Sequence, residues 1–298
     1  MLDIPGIKTD IILAPYTTYK IGGKADYFLV ASRKEELISA IIEARGQRMP
    51  YFILGAGANI LISDKGYRGL VIRNETKDLK FDKNILTVES GAMISDLIDL
   101  TSDKGLSGLE HFAGIPSTVG GAMWQNLHFL SPDRTRTLFI SDIVGSAEVL
   151  DENSKISNVD KDFFKFGYDY SILHDRKLVV MEVSFQLDYK DSAEIKHQIE
   201  ENLKWRNKKQ PQLHQFPSCG SVFKKIDGIG AGRLIERAGL KGYNIGGAQI
   251  SEKHANYIVN TGTATAENVV ALIKVVQNKV KADTGYNLEP EISFIGEF

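Results

Sequence analysis

Apolar positions recur along this chain with two periods. In residues 34–48 they fall at Leu37, Ile38, Ile41 and Ile42, one face of an amphipathic helix for which Ser32 is a candidate N-cap. Residues 94–104 read as a second helix, with Gly105 as its C-cap. Short apolar runs at residues 51–54, 70–73 and 85–90 read as strands. Residues 178–189 alternate strictly: Val179, Met181, Val183, Phe185 and Leu187 share one face, while Glu182, Ser184 and Gln186 share the other. That is the pattern of a half-buried strand. Residues 191–209 form a charged helix leading into Gln210-Pro211, and a domain boundary is placed at its start. A helix at 233–238 stopped by Gly239, a turn at Gly246-Gly247, a long helix at 266–282 and a strand at 291–295 follow. There is no internal repeat or low-complexity tract. The pattern predicts an α+β protein with a larger first domain and a smaller second one.

Composition narrows the function classes. The chain has 298 residues, enough for two domains, and a formal net charge of −2, which gives no general attraction to nucleic acid or membrane. No apolar run approaches the roughly 20 residues that span a bilayer. The single cysteine, Cys219, excludes an internal disulfide, and no two of the six histidines stand at metal-ligand spacing, so no metal is expected. Residues 1–10 lack a basic stretch followed by an apolar core, which predicts no secretory signal and a cytoplasmic location. Oligomeric state stays open, with a monomer favoured.

Two glycine-rich loops change the picture. Gly55-Ala56-Gly57-Ala58-Asn59 follows the apolar run at 51–54, and Gly114-Ile115-Pro116-Ser117-Thr118-Val119-Gly120-Gly121-Ala122 lies further on. Either alone reads equally well as an ordinary turn. Together they suggest backbone amides arranged around a ligand with two phosphates.

The wider motif series resembles the UDP-N-acetylenolpyruvoylglucosamine reductase (UDP-N-acetylmuramate dehydrogenase) family. It includes Tyr16-Thr17-Thr18-Tyr19-Lys20-Ile21-Gly22-Gly23, both glycine loops, Gly105-Leu106-Ser107-Gly108-Leu109-Glu110, Pro217-Ser218-Cys219-Gly220-Ser221 and Leu288-Glu289-Pro290-Glu291. The resemblance implies a two-subdomain FAD-binding module of the vanillyl-alcohol-oxidase type over 1–190 (subdomains 1–74 and 75–190). A C-terminal α+β substrate domain over 191–298 would follow, of the family's shorter type. It further implies FAD held by Gly55, Ala56, Gly57, Ala58 and Asn59 and by Gly114, Ile115, Ser117, Thr118, Gly120 and Gly121. NADPH would reduce the flavin, which would pass hydride to a UDP-linked enolpyruvyl sugar in peptidoglycan precursor synthesis. Ser221 matches the family's proton donor and Glu291 a glutamate acting at the substrate carboxyl end. Lys209 matches a contact to substrate phosphate, and Tyr168 and Asn126 fall at the substrate site. Read without the family, Gly220-Ser221 is a tight turn, Glu291 a surface residue easily confused with Glu289, and Lys209 a solvated helix end.

Three segments depart from the family pattern. Tyr168-Asp169-Tyr170-Ser171 carries Asp169 where the family has an arginine facing the enolpyruvyl carboxylate. Two unit charges about 4 Å apart interact by roughly 4 kcal/mol at an effective dielectric of 20, so reversing the sign costs about twice that. The small residues expected after Asn126 are replaced by Leu127-His128-Phe129-Leu130, and Lys224-Lys225-Ile226 replaces Lys-Asn-Pro. Lys225 or Arg176 could return the missing charge. Two other readings therefore stand beside the reductase: a flavin-binding paralogue with altered substrate or lost turnover, and a non-enzymatic protein that binds flavin or nucleotide sugar.

Overall fold

The strictly alternating segment becomes a central strand. In the computed structural model, which describes residues 4–226 and 228–298, Val179–Gln186 lies between Val144–Leu150 and Ile85–Glu89. The five-stranded antiparallel sheet is completed by Ile156–Asp160 and Leu79–Asp82 at its edges. Val183 stands opposite Val88 on one side and Ala147 on the other, and all three are buried. The opposite face is polar: Lys34 Nζ lies 3.2 Å from Glu148 and 3.6 Å from Glu182.

Lys34 opens α1 (Lys34–Gly46), which buries Leu37, Ala40, Ile41 and Ala44. This corrects the expected face. The stripe starting at Leu37 runs i, i+3, i+4, i+7 through two alanines, leaving Ile42 44% exposed. Ser32 is not the cap: Arg33 occupies that position, and the Glu36 carboxylate accepts the amides of both residues. Next come α2 (Ile94–Asp103), α3 (Val119–Gln125) and α4 (Ser192–Lys209). After these stand α5 (Ala231–Arg237) and α6 (Ala266–Thr284).

The chain divides into two compact units that interleave in sequence. One is built mainly from Leu29–Ala56 and Ile72–Arg206, the other from Ile7–Phe28, Gly57–Val71 and Asn207–Phe298. The second unit draws on early residues because they pair with late ones. Ile60–Ile62 runs parallel to Ser293–Ile295, with Ser293 opposite Ile60. The Asp64 carboxylate accepts the amides of Ala266 at 2.9 Å and Glu267 at 3.0 Å, placing negative charge at the start of α6. Val269, Leu272 and Val276 of that helix share an apolar cluster with Leu61, Ile250 and Ile258.

His111, in the first unit, and His254, in the second, are both held below the ordinary histidine value of 6.5, chiefly because burial penalises the imidazolium. As pH falls through 6.5 the unfolded chain binds protons that the folded chain does not, so stability present above that value is lost below it. The melting temperature is expected to fall between about pH 7.5 and about pH 5.5, and to fall less in His111→Gln. Identical losses in the two proteins would remove His111 from this account.

Candidate functional site

Gly55 of the first glycine loop and Thr118 of the second come together within the first unit. A Cβ built on Gly55 would stand 2.5 Å from Thr118 Oγ1, so only glycine permits this approach. The Gly55 carbonyl also accepts a hydrogen bond from Arg73 Nη1. Gly57 has φ +68, and its Cβ would lie 2.1 Å from the Tyr16 carbonyl oxygen. Thr18 donates its amide to Gly57 O at 3.0 Å. Asn59, also left-handed at φ +56, donates from Nδ2 to the Glu291 carbonyl at 3.2 Å.

Backbone amides decide what these loops can hold. Those of Val119, Gly120 and Gly121 are engaged by Ala92 O, Ser90 O and Thr118 Oγ1, at 2.9, 2.7 and 3.2 Å. Those of Ala56, Gly57, Ala58, Asn59, Ser117 and Thr118 have no protein acceptor among the described residues. Unengaged amides on a loop with two left-handed residues suit anionic oxygens, so residues 56–59 fit the phosphates of a dinucleotide. Gly120 and Gly121 contribute close packing and the start of α3, while Gly114 (φ +80) and Ile115 form the turn that leads into it.

Ser221 and Glu291 come together in the second unit. Ser221 forms a bridge with Tyr257, Val222 donates to Asn256 O at 2.8 Å and accepts at its carbonyl the Glu291 amide at 2.8 Å. Ser221 is half-buried, and its hydroxyl has no hydrogen-bond partner among the described residues. Glu289 is separated from Glu291 by its setting: it is an exposed partner of Lys224 at 3.6 Å, whereas Glu291 is half-buried. Burial pushes the neighbouring Cys219 thiol well up, which makes it a packed residue rather than a nucleophile. Lys209 is exposed at the end of α4 and enters no hydrogen bond or ion pair with Ser221 or Glu291 among the described residues.

Asn126, Tyr168 and Asp169 form a separate cluster in the first unit. Asn126 ends α3 in the left-handed region and donates from Nδ2 to Gly167 O at 2.9 Å. That carbonyl opens the tight turn Gly167–Tyr170, in which Asp169 has φ +52. Tyr168 packs on His128, with ring centroids 4.6 Å apart, and His128 Nδ1 lies 3.6 Å from Asp169 Oδ1. Arg176, a candidate for the missing charge, is gripped by both oxygens of Glu152 at 2.8 Å. Sequence reasoning missed Asn256, whose side chain holds the Phe223 amide at 3.0 Å and carbonyl at 2.9 Å and so fixes the Ser221 segment. A buried asparagine among apolar residues was the one available signal.

Among the described residues no helix is long and apolar enough to cross a membrane, and no group of three or more His, Cys, Asp or Glu could hold a metal ion.

Glycine loops with unengaged backbone amides, on a chain of two interleaved units that each mix helices and strands, are the parts of a dinucleotide-binding protein. The family profile "FAD binding domain" matches residues 25–160, and "UDP-N-acetylenolpyruvoylglucosamine reductase, C-terminal domain" matches residues 210–295. The reductase of that name from Caldanaerobacter subterraneus subsp. tengcongensis is 40% identical over 95% of this chain and 91% of its own. The one from Caldicellulosiruptor bescii is 42% identical over 96% of this chain and 90% of its own. The crystal structure of UDP-N-acetylenolpyruvylglucosamine reductase from Thermus caldophilus superposes with a TM-score of 0.81 at 31% identity, covering 97% of this chain and 99% of that one. The chain belongs to the UDP-N-acetylenolpyruvoylglucosamine reductase family.

Proposed function

We propose that this chain is the FAD- and NADPH-dependent reductase that converts UDP-N-acetylglucosamine enolpyruvate to UDP-N-acetylmuramate in cytoplasmic peptidoglycan precursor synthesis. The observation that carries the reading is the meeting of the two glycine loops at Gly55 and Thr118 with unengaged amides beside them. Residues 56–59 would hold FAD, which would supply to the terminal vinyl carbon of the substrate the hydride that NADPH provides. The electron pair of the double bond then collects on the carbon that carries the carboxylate. Ser221 Oγ–H gives its proton there, a task a weak acid performs because that carbon is a much stronger base. Glu291 acts at the carboxyl end of the substrate and Lys209 takes its phosphates, while Asn126 and Tyr168 line its binding surface.

Asp169 favours a second reading, a flavin-binding paralogue with another substrate or with lost turnover. Purified protein decides between them. The reductase is yellow and consumes NADPH over many turnovers only when the enolpyruvyl sugar is added. A yellow protein that leaves NADPH at background with this substrate supports the paralogue, and a colourless protein that takes up no added FAD overturns both.

A further inference from the structure

Two of the places where this chain leaves the family pattern, Asp169 and the segment after Asn126, are one unit in three dimensions. Asp169 is 7% exposed, and its Oδ2 is buried without a hydrogen-bond partner among the described residues. Its one ion-pair partner among the described residues is His128, 3.6 Å away. A buried carboxylate is costly unless a positive charge stands beside it, and the same carboxylate favours the charged form of a neighbouring imidazole. The arrangement is also held in place. Asn126 donates to Gly167 O at 2.9 Å and accepts the Ser141 amide at 3.3 Å, fixing the turn of Asp169 against the segment that carries His128. The imidazole packs against both Tyr168 and Phe139, with centroids at 4.6 and 5.4 Å. α3 joins this cluster to the glycine loop, beginning next to Thr118 and ending at Asn126, two residues before His128.

We propose that His128, paired with Asp169, is the positive charge through which this protein holds the carboxylate of its substrate, with Asp169 as the positioning residue. The inference rests on the reductase reading above, since an enolpyruvyl ether gathers negative charge beside its carboxylate during the reaction and that charge needs a fixed cation. An arginine at position 169 would supply the cation directly. Here the acid at that position stands 3.6 Å from His128, whose imidazolium is the cation in its place. His128 thus contacts substrate, whereas Asp169 acts through His128.

The test uses the FAD-loaded protein. His128→Gln removes the charge and is expected to raise KM for the enolpyruvyl sugar at least about tenfold, with a much smaller change in kcat. His128→Lys, which keeps a charge, is expected to recover most of the loss. Asp169→Asn is expected to raise KM with little change in kcat, and Asp169→Arg combined with His128→Gly to bind substrate better than His128→Gln. Flavin content and the melting curve report folding for each variant. A wild-type KM in His128→Gln overturns the proposal. Should His128→Gln fold poorly, the lysine variant and the double replacement decide, and failure of both to bind substrate while retaining FAD overturns it equally. An unsubstituted protein that does not turn over the enolpyruvyl sugar overturns the reductase reading itself, a result distinct from any of these.

Discussion

Turnover of the enolpyruvyl sugar by Ser221→Ala is expected to fall by about two to four orders of magnitude, the usual loss when a positioned proton donor is removed. Reduction of the bound flavin by NADPH is expected to keep its wild-type rate, because that half of the reaction uses no proton from Ser221. The two halves separate in rapid mixing: NADPH alone reads the first, and substrate added to pre-reduced protein reads the second. The structure makes this a clean substitution. Ser221 Oγ has no hydrogen-bond partner among the described residues, so alanine breaks no contact. The backbone around it is held by Asn256 and Glu291 through groups that alanine leaves intact. Stability should therefore change by no more than about 0.5 kcal/mol. Equal slowing of both halves, or none in the second, would take the proton-donor role from Ser221.

The largest effect on folding and cofactor retention is expected from Gly57→Ala. Its φ of +68 costs an L-residue about 1–2 kcal/mol. The added Cβ would stand 2.1 Å from Tyr16 O and 2.8 Å from Thr17 Cα, both main-chain atoms that no side-chain rotation can move. Relief requires the loop to shift, which strains the Thr18 amide's bond to Gly57 O and displaces the amides of Ala56, Ala58 and Asn59. A destabilisation of about 3 kcal/mol or more follows, or about 6–12 °C in melting temperature, together with loss of FAD on gel filtration. Gly220→Ala is the control: its φ is +89, but nothing lies within 4 Å of the added Cβ. The same loss in both variants would mean that backbone conformation alone, and not the clash with Tyr16, sets the requirement for glycine at residue 57.

Helices and the central strand were legible in the sequence because their apolar spacing is local. The period of two across Val179, Met181, Val183 and Phe185 marks one face of a strand wherever that strand sits. The buried face of α1 was misplaced because Ala40 and Ala44 carry little hydropathy, while Ile42 carries much and still faces solvent. Membership of the compact units was hidden for a different reason: the pairing of Ile60–Ile62 with Ser293–Ile295 leaves no periodic trace in either segment. In the candidate site, the glycine loops announced themselves through composition, and Ser221 and Glu291 through the motif series. The link between His128 and Asp169 did not, because each reads singly as a lost feature, and only the 3.6 Å between them turns two losses into one pair.

The bonds of Asn59 to Glu291 and Ser293 set an order of events during synthesis. Asn59 and Glu291 are 232 positions apart, so at about 5–20 residues per second the ribosome needs about 10–50 s to make the second after the first. The strands of the five-stranded sheet, all within residues 79–186, have emerged well before then. Leu61 and Ile62, fully buried in the finished protein, must wait for the strand that covers them. The nascent chain therefore completes its sheet while the loop at Asn59 is still unsupported, and the bonds that hold that loop form only after Ser293 has left the exit tunnel. Residues 57–71 are the stretch that chaperones would have to shield in the interval.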